Sequence, residues 1–205
     1  MSPRRRTAAV AVALLVMAAG LVLRLETARR EATGAASSCR ILAERAGVSE
    51  AVDCDAVQDS AYARLCGVPL STLGAAAHAV LALWIGLAAG GALLVAAGAL
   101  AGLNVLAAAG TAYVAWFVLG KACPYCILMQ AGIVSLAFLV VPPAWRELGR
   151  GVGVGGGDAV RAGLVAATVF AVFHAGDAYA ARRADLVRAA GRPVGQAVRA
   201  DVTGC

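Results

Sequence analysis

Charge is scarce in this chain and lysine is nearly absent. Only 15% of the 205 residues are Asp, Glu, Lys or Arg, and Lys121 stands alone beside seventeen arginines. A water-soluble domain carries about a quarter charged residues, so an ordinary soluble fold is excluded. Basic residues interleaved with aromatics are also missing: aromatics make up 5%, and the arginines are scattered along loops and ends. The net charge of +6 therefore reads as membrane-flanking charge and not as a nucleic-acid footprint. Histidine is limited to His78 and His174, both inside apolar runs away from the polar loop, so no four-ligand Cys/His zinc site is expected.

Apolar residues are what the chain has in quantity: 61% of the total, with a mean hydropathy of +0.79. A helix needs about 20 apolar residues to cross roughly 30 Å of hydrocarbon. Thr7 to Leu23, behind Arg4-Arg5-Arg6, is the first candidate span, with a cleaved signal peptide as the rival reading. Leu70 to Ala89 is the second, and Gly98 to Leu119 the third, after a cytoplasmic turn at Gly90-Gly91. Asn104 in the third span is expected to face another helix. Cys126 to Val141 is the fourth span, stopped by Pro142-Pro143. A shorter fifth span is expected over 162–176, after a Gly-rich cytoplasmic loop over 142–161 and before an Arg-rich exoplasmic tail over 177–205. The fold class is therefore all-α membrane protein, a four-helix transmembrane bundle with a fifth transmembrane helix. Gly86, Gly90, Gly98, Gly102 and Gly110 either permit close helix approach or reflect compositional bias.

Six cysteines stand at 39, 54, 66, 123, 126 and 205. Cys123-Pro124-Tyr125-Cys126 opens the fourth apolar run, and two cysteines three apart at a helix start share one face, close enough for a disulfide. The helix N-terminus stabilises a thiolate there. Thiol–disulfide exchange needs an accessible thiolate, which Cys123 at the helix tip is expected to supply. Cys126 lies one turn deeper, where an apolar ring can dock. A dithiol at the mouth of a membrane span calls for an electron acceptor inside the membrane. With the N-terminus in the cytoplasm, the polar loop over 24–69 is exported, and Cys39, Cys54, Cys66, Cys123 and Cys126 share one oxidising face.

The exported loop carries a more specific pattern. Cys54 is followed by Ser60, then Tyr62-Ala63, then Gly67-Val68-Pro69-Leu70 at the mouth of the second span. This order, with the C-x-x-C pair opening the fourth span, closely resembles the vitamin K epoxide reductase family over about Thr7 to Val141. The resemblance implies a bundle that holds a quinone (menaquinone or ubiquinone) at its exoplasmic end. It also implies a cysteine shuttle in the first loop, with Cys54 exchanging with the C-x-x-C pair and Cys39 meeting the protein substrate. The pairing of Cys54 with Cys66 stays open beside it. On this reading Ser60 lies beside the active site, Cys123 receives electrons from Cys54, and Cys126 passes them to the quinone. Tyr125 covers the pair at the cofactor site or is a simple interfacial aromatic.

The function implied is a membrane thiol:quinone oxidoreductase that makes disulfides for exported proteins, in the bacterial plasma membrane. No second C-x-x-C follows in the tail, so the protein partner is expected to be a separate thioredoxin-fold oxidoreductase. Cys66 is expected to pack and Cys205 to be a bystander. The other bacterial four-helix disulfide-generating family places its C-x-x-C in the first loop, the reverse of the order here. A non-catalytic redox sensor or scaffold on the same fold is the alternative from a different class.

Overall fold

The computed structural model describes residues 1–65, 67–87, 91–151 and 156–190. Among these, four segments are long and apolar enough to cross a membrane: Pro3–Arg30, Leu70–Leu87, Gly91–Val118 and Pro124–Gly149. They belong to helices α1 (Pro3–Thr33), α4 (Leu70–Leu87), α5 (Gly91–Tyr113) with the π-helical turn Val114–Val118 behind it, and α6 (Pro124–Gly149). Two short helices, α2 (Ser38–Arg45) and α3 (Cys54–Asp59), and a two-stranded hairpin pairing Arg64–Leu65 with Val68–Pro69 fold the loop between α1 and α4 over one end of the bundle. The last helix, α7 (Gly156–Ala190), packs on α4. The chain is thus an all-α, multi-pass membrane protein.

Helix α1 packs on α4 and α6, and α5 packs on α6 and α4. The core combines Leu81, Ile85, Leu136 and Val140 with small residues such as Ala9, Ala13, Ala97 and Ala144. Lipid tails compete for apolar side chains, so close approach of small residues supplies the contact energy between helices. Gly98 shows this directly: a Cβ added there would collide with the Cβ of Ala144 on α6. Gly86, Gly102 and Gly110 have open space at that position, so the two readings of the glycines divide between positions. Gly90 lies outside the described residues.

The expected stop at Pro142-Pro143 is not a stop: α6 continues through both prolines to Gly149. A proline inside a helix removes the donor to the carbonyl four residues back. Here that orphans the carbonyls of Phe138 and Leu139. Arg5 of α1 supplies both, its Nη2 donating to Phe138 O at 2.8 Å and its Nε to Leu139 O at 2.9 Å. Re-satisfaction by a neighbouring helix is what makes proline tolerable in lipid. Arg5→Leu should therefore cost about 3 kcal/mol, since two charge-assisted bonds to otherwise unpaired carbonyls are lost. Unfolding in a denaturing-detergent titration checks this, and Pro142→Ala with Pro143→Ala should recover most of the loss by restoring the helix's own donors.

Other boundaries also move. The third spanning segment begins at Gly91, not Gly98, because its alanine-rich start is already helical. Asn104 shares the α5 face of the buried Ala97, Ala101 and Ala108, and its Nδ2 donates to Leu100 O of its own helix at 3.1 Å. Residues 142–149 and 156–161 of the expected loop are helical, and so is the expected tail as far as Ala190. Asp177 ends the apolar run without ending the helix. The apolar part of α7, Ala162–Gly176, is shorter than the four spans. Cys66 and residues 191–205, Cys205 included, lie outside the described residues.

Candidate redox site

Three local features build the site. Ser37 caps α2 by accepting from Arg40 N–H at 3.1 Å, placing Cys39 in the first turn. Asp53 caps α3, its Oδ1 accepting from Asp55 and Ala56 N–H at 3.0 Å each, and Cys54 is the first residue of that helix. Cys123 is itself the N-cap of α6, its Sγ accepting from Cys126 N–H at 3.3 Å, with Pro124 at the position where no donor is needed.

Cys39 and Cys54 form a disulfide across a sequence separation of 15. Of the two pairings open from sequence, this is the one present. Cys123 and Cys126 are free thiols with sulfurs 2.7 Å apart. Cys39, Cys54 and Cys123 form one buried cluster, against which Val52, Val57, Tyr125 and Cys126 pack. Four of the cysteines singled out from sequence are thus brought together at one end of the bundle.

The register between loop and helix is set by backbone. Val52 and Ala122 form an isolated parallel bridge, with Asp53 N–H donating to Ala122 O at 3.1 Å and Ala122 N–H to Ala51 O at 2.8 Å. Lys121, the lone lysine, donates from Nζ to Glu50 O beside it. Two residues beyond Val52 is Cys54, and one beyond Ala122 is Cys123. The same bridge closes the loop over the helix tip, so Cys123 is only 2% exposed and Cys54 fully buried. The expected open thiolate at the tip is therefore corrected: both sulfurs are reached through the loop, not from bulk solvent.

Electrostatics favour the Cys123 thiolate despite this burial. The Cys126 thiol donating to its sulfur lowers the Cys123 pKa below the usual thiol range, and the backbone N–H groups of Cys126 and Tyr125 add to this. Burial and the carboxylate of Asp55 oppose it.

On the bundle side of the cysteines is a cavity of about 260 Å³. Its walls come from Leu23 and Thr27 of α1, Ser71 of α4, the π-turn residues Val114 and Ala115, and Met129 of α6. Cys126 lines it, and so does Ser60, whose Oγ donates to Val57 O at 2.8 Å. Gln58 joins Ser60 as a lining residue from the loop, with its Oε1 2.6 Å from Thr27 Oγ1. Tyr125 packs on the cysteine cluster instead and is not among the lining residues. Thr27, Gln58 and Thr111 are polar lining residues that no sequence pattern marked. The π-turn had no sequence signal either; its i→i+5 bond, Leu119 N–H to Val114 O at 2.9 Å, turns Val114 and Ala115 toward the cavity.

A membrane bundle with a disulfide, a dithiol and an apolar cavity sharing one sulfur is a thiol redox protein of the lipid phase. More particularly, the chain belongs to the vitamin K epoxide reductase family, whose model matches residues 7–141. That range holds all four clustered cysteines, Ser60 and every residue named in the cavity wall. No curated protein and no solved structure matches the chain. Family membership makes the protein a membrane redox enzyme of the thiol–quinone kind.

Proposed function

We propose that the protein oxidises thiols of a thioredoxin-fold partner on the exoplasmic face of a bacterial plasma membrane and passes the electrons to a membrane quinone, so generating disulfides for exported proteins. One observation carries the reading. The Cys126 sulfur lies 2.7 Å from that of Cys123 and also lines the apolar cavity, so it joins the thiol chain to the lipid phase.

The cavity suits a quinone head. It is largely apolar, with a few convergent polar groups from Ser60, Gln58, Thr27 and Thr111, as small-molecule sites are. Cys126 and these polar residues would hold the ring, and menaquinone and ubiquinone are both admissible by this chemistry. A bound quinone supplies an acceptor for two electrons and two protons. The chain's own residues do the rest. A partner dithiol reduces the Cys39–Cys54 disulfide, leaving two thiols. The Cys54 thiolate then attacks Cys123 in a Cys123–Cys126 disulfide, and the departing electron pair goes to Cys126. Cys39 next attacks Cys54, which releases Cys123 as a thiolate and restores the Cys39–Cys54 disulfide. The resulting state, outer pair oxidised and inner pair reduced, is the one described above. Cys126 then gives up the electrons at the cavity while Cys123 closes the inner disulfide.

Anaerobic spectroscopy with a reduced thioredoxin-fold dithiol should show quinol formation at a rate that depends on the dithiol, and menaquinone and ubiquinone analogues compared side by side identify the acceptor. A chain that is only a sensor or scaffold would give no turnover. Topology has its own check. Because Cys39, Cys54 and Cys123 are buried, the exposed Ser49 is the better reporter. Ser49→Cys should react with a membrane-impermeant maleimide on intact cells, and Ser2→Cys only after lysis. The opposite pattern would remove the disulfide-export role.

A further inference from the structure

Asp55 stands where three parts of the redox site meet. It follows Cys54 in α3, and its side chain is 9% exposed. Its Oδ2 accepts from the backbone N–H of Ser37, two residues before Cys39, at 3.3 Å. Its Oδ1 lies 3.3 Å from Nη1 of Arg30, near the end of α1, whose side chain is 12% exposed. Arg30 Nη2 reaches Asp59 at the other end of α3 at 2.8 Å. Both halves of the outer disulfide are thereby tied to a membrane-spanning helix through one arginine. A carboxylate buried to this degree is costly unless paired, and no other residue within its α3 turn offers a cation.

Resting on the thiol:quinone reading, we propose that Arg30 and Asp55 are positioning residues for the outer-to-inner electron step: they hold Cys54 over Cys123, and Arg30 offsets the negative charge that Asp55 places beside the Cys123 sulfur.

The step exposes why that balance matters. When Cys39 attacks Cys54 in the Cys54–Cys123 disulfide, one S–S bond forms, one breaks, and the electron pair leaves on Cys123. Two electrons have then moved from the outer pair to the inner pair. Exchange is faster when the leaving thiol has a lower pKa. The groups facing Cys123 are Cys126 and Tyr125 of α6, the outer cysteines, and Asp55 of α3. The groups facing Asp55 are Arg30 of α1 and, through space, Arg40 of α2. Among them Asp55 is the carboxylate that opposes the Cys123 thiolate, and Arg30 is the cation in contact with it.

The test is the pH dependence of Cys123 alkylation by iodoacetamide, small and uncharged enough to reach the sulfur when the loop opens, in the full chain reconstituted in lipid nanodiscs with the Cys39–Cys54 disulfide intact and read by site-resolved mass spectrometry. Asp55→Asn keeps the side chain's size and its bond to Ser37 N–H. It should move the midpoint down by roughly half a pH unit, which raises the rate below the midpoint about threefold. Arg30→Gln should move the midpoint up and slow internal exchange, while Arg30→Lys should stay near wild type. An unmoved midpoint in Asp55→Asn overturns the proposal, even if Arg30→Gln fails to fold. So does a shift in the same direction for Asp55→Asn and Arg30→Gln. The alkylation profile needs no quinone. Loss of wild-type quinone reduction would therefore count against the proposed function, and an unmoved profile against the positioning role.

Discussion

Cys126→Ser should reduce quinone turnover by at least about a thousandfold, equivalent to some 4 kcal/mol of barrier. Serine is close in size but cannot form an S–S bond or release electrons as a thiolate does, so the inner pair can no longer cycle. The outer chemistry survives the substitution. Cys123 stays at the N-terminus of α6, in one buried cluster with the Cys39–Cys54 disulfide. Its thiolate can attack Cys54, releasing Cys39 as a thiol and leaving a Cys54–Cys123 mixed disulfide that Cys126 no longer resolves. Non-reducing peptide mapping should find that bond enriched in Cys126→Ser. Turnover near wild type would mean that Cys123, not Cys126, meets the acceptor, although Cys126 is the member of the pair that lines the cavity.

The second large effect separates the two ends of the relay. Cys39→Ala should block oxidation of a protein partner, because the disulfide the partner must reduce no longer forms. A small dithiol can instead reduce the Cys123–Cys126 disulfide or a Cys54–Cys123 bond directly, so its quinone-linked oxidation should fall no more than severalfold. Closing the Cys39–Cys54 loop is no obstacle, since closure entropy grows slowly with length and fifteen residues in place of seven adds less than about 1 kcal/mol. Cys66→Ala is the contrast, and it should leave both activities near wild type. If Cys66→Ala separates the two activities and Cys39→Ala is silent, the shuttle belongs to Cys54 and Cys66.

The parts legible from sequence are those written in local pattern. Four apolar runs and the C-x-x-C at the mouth of the last one spell out a membrane bundle with a dithiol at its rim. Ser60 and Cys54 were readable from the loop motif. What was not legible depends on contacts between distant segments. The proline pair reads as a helix stop because its rescue by Arg5 lies on another helix, more than a hundred residues away. Cys123 reads as exposed because the strand-like bridge between Val52 and Ala122 is a single pair with no alternating pattern to announce it. The pairing of Cys39 with Cys54 is implied by the family resemblance, but spacing alone does not choose it over Cys66, since both separations are admissible. It follows from the Ser37 cap and its bond to Asp55, which bring the start of α2 to the start of α3. Thr27 and Gln58 look like ordinary polar residues of a helix end and a loop, and only the fold turns them into the cavity's wall.

Single-turnover mixing tests the central claim most directly. Enzyme prepared with the Cys39–Cys54 disulfide formed and Cys123 and Cys126 reduced is mixed anaerobically with one equivalent of oxidised quinone, then quenched with acid and alkylated. The account predicts one equivalent of quinol, a new Cys123–Cys126 disulfide, and an unchanged Cys39–Cys54 disulfide. No quinol with both inner thiols still alkylated, or quinol formed without an inner disulfide, would contradict it.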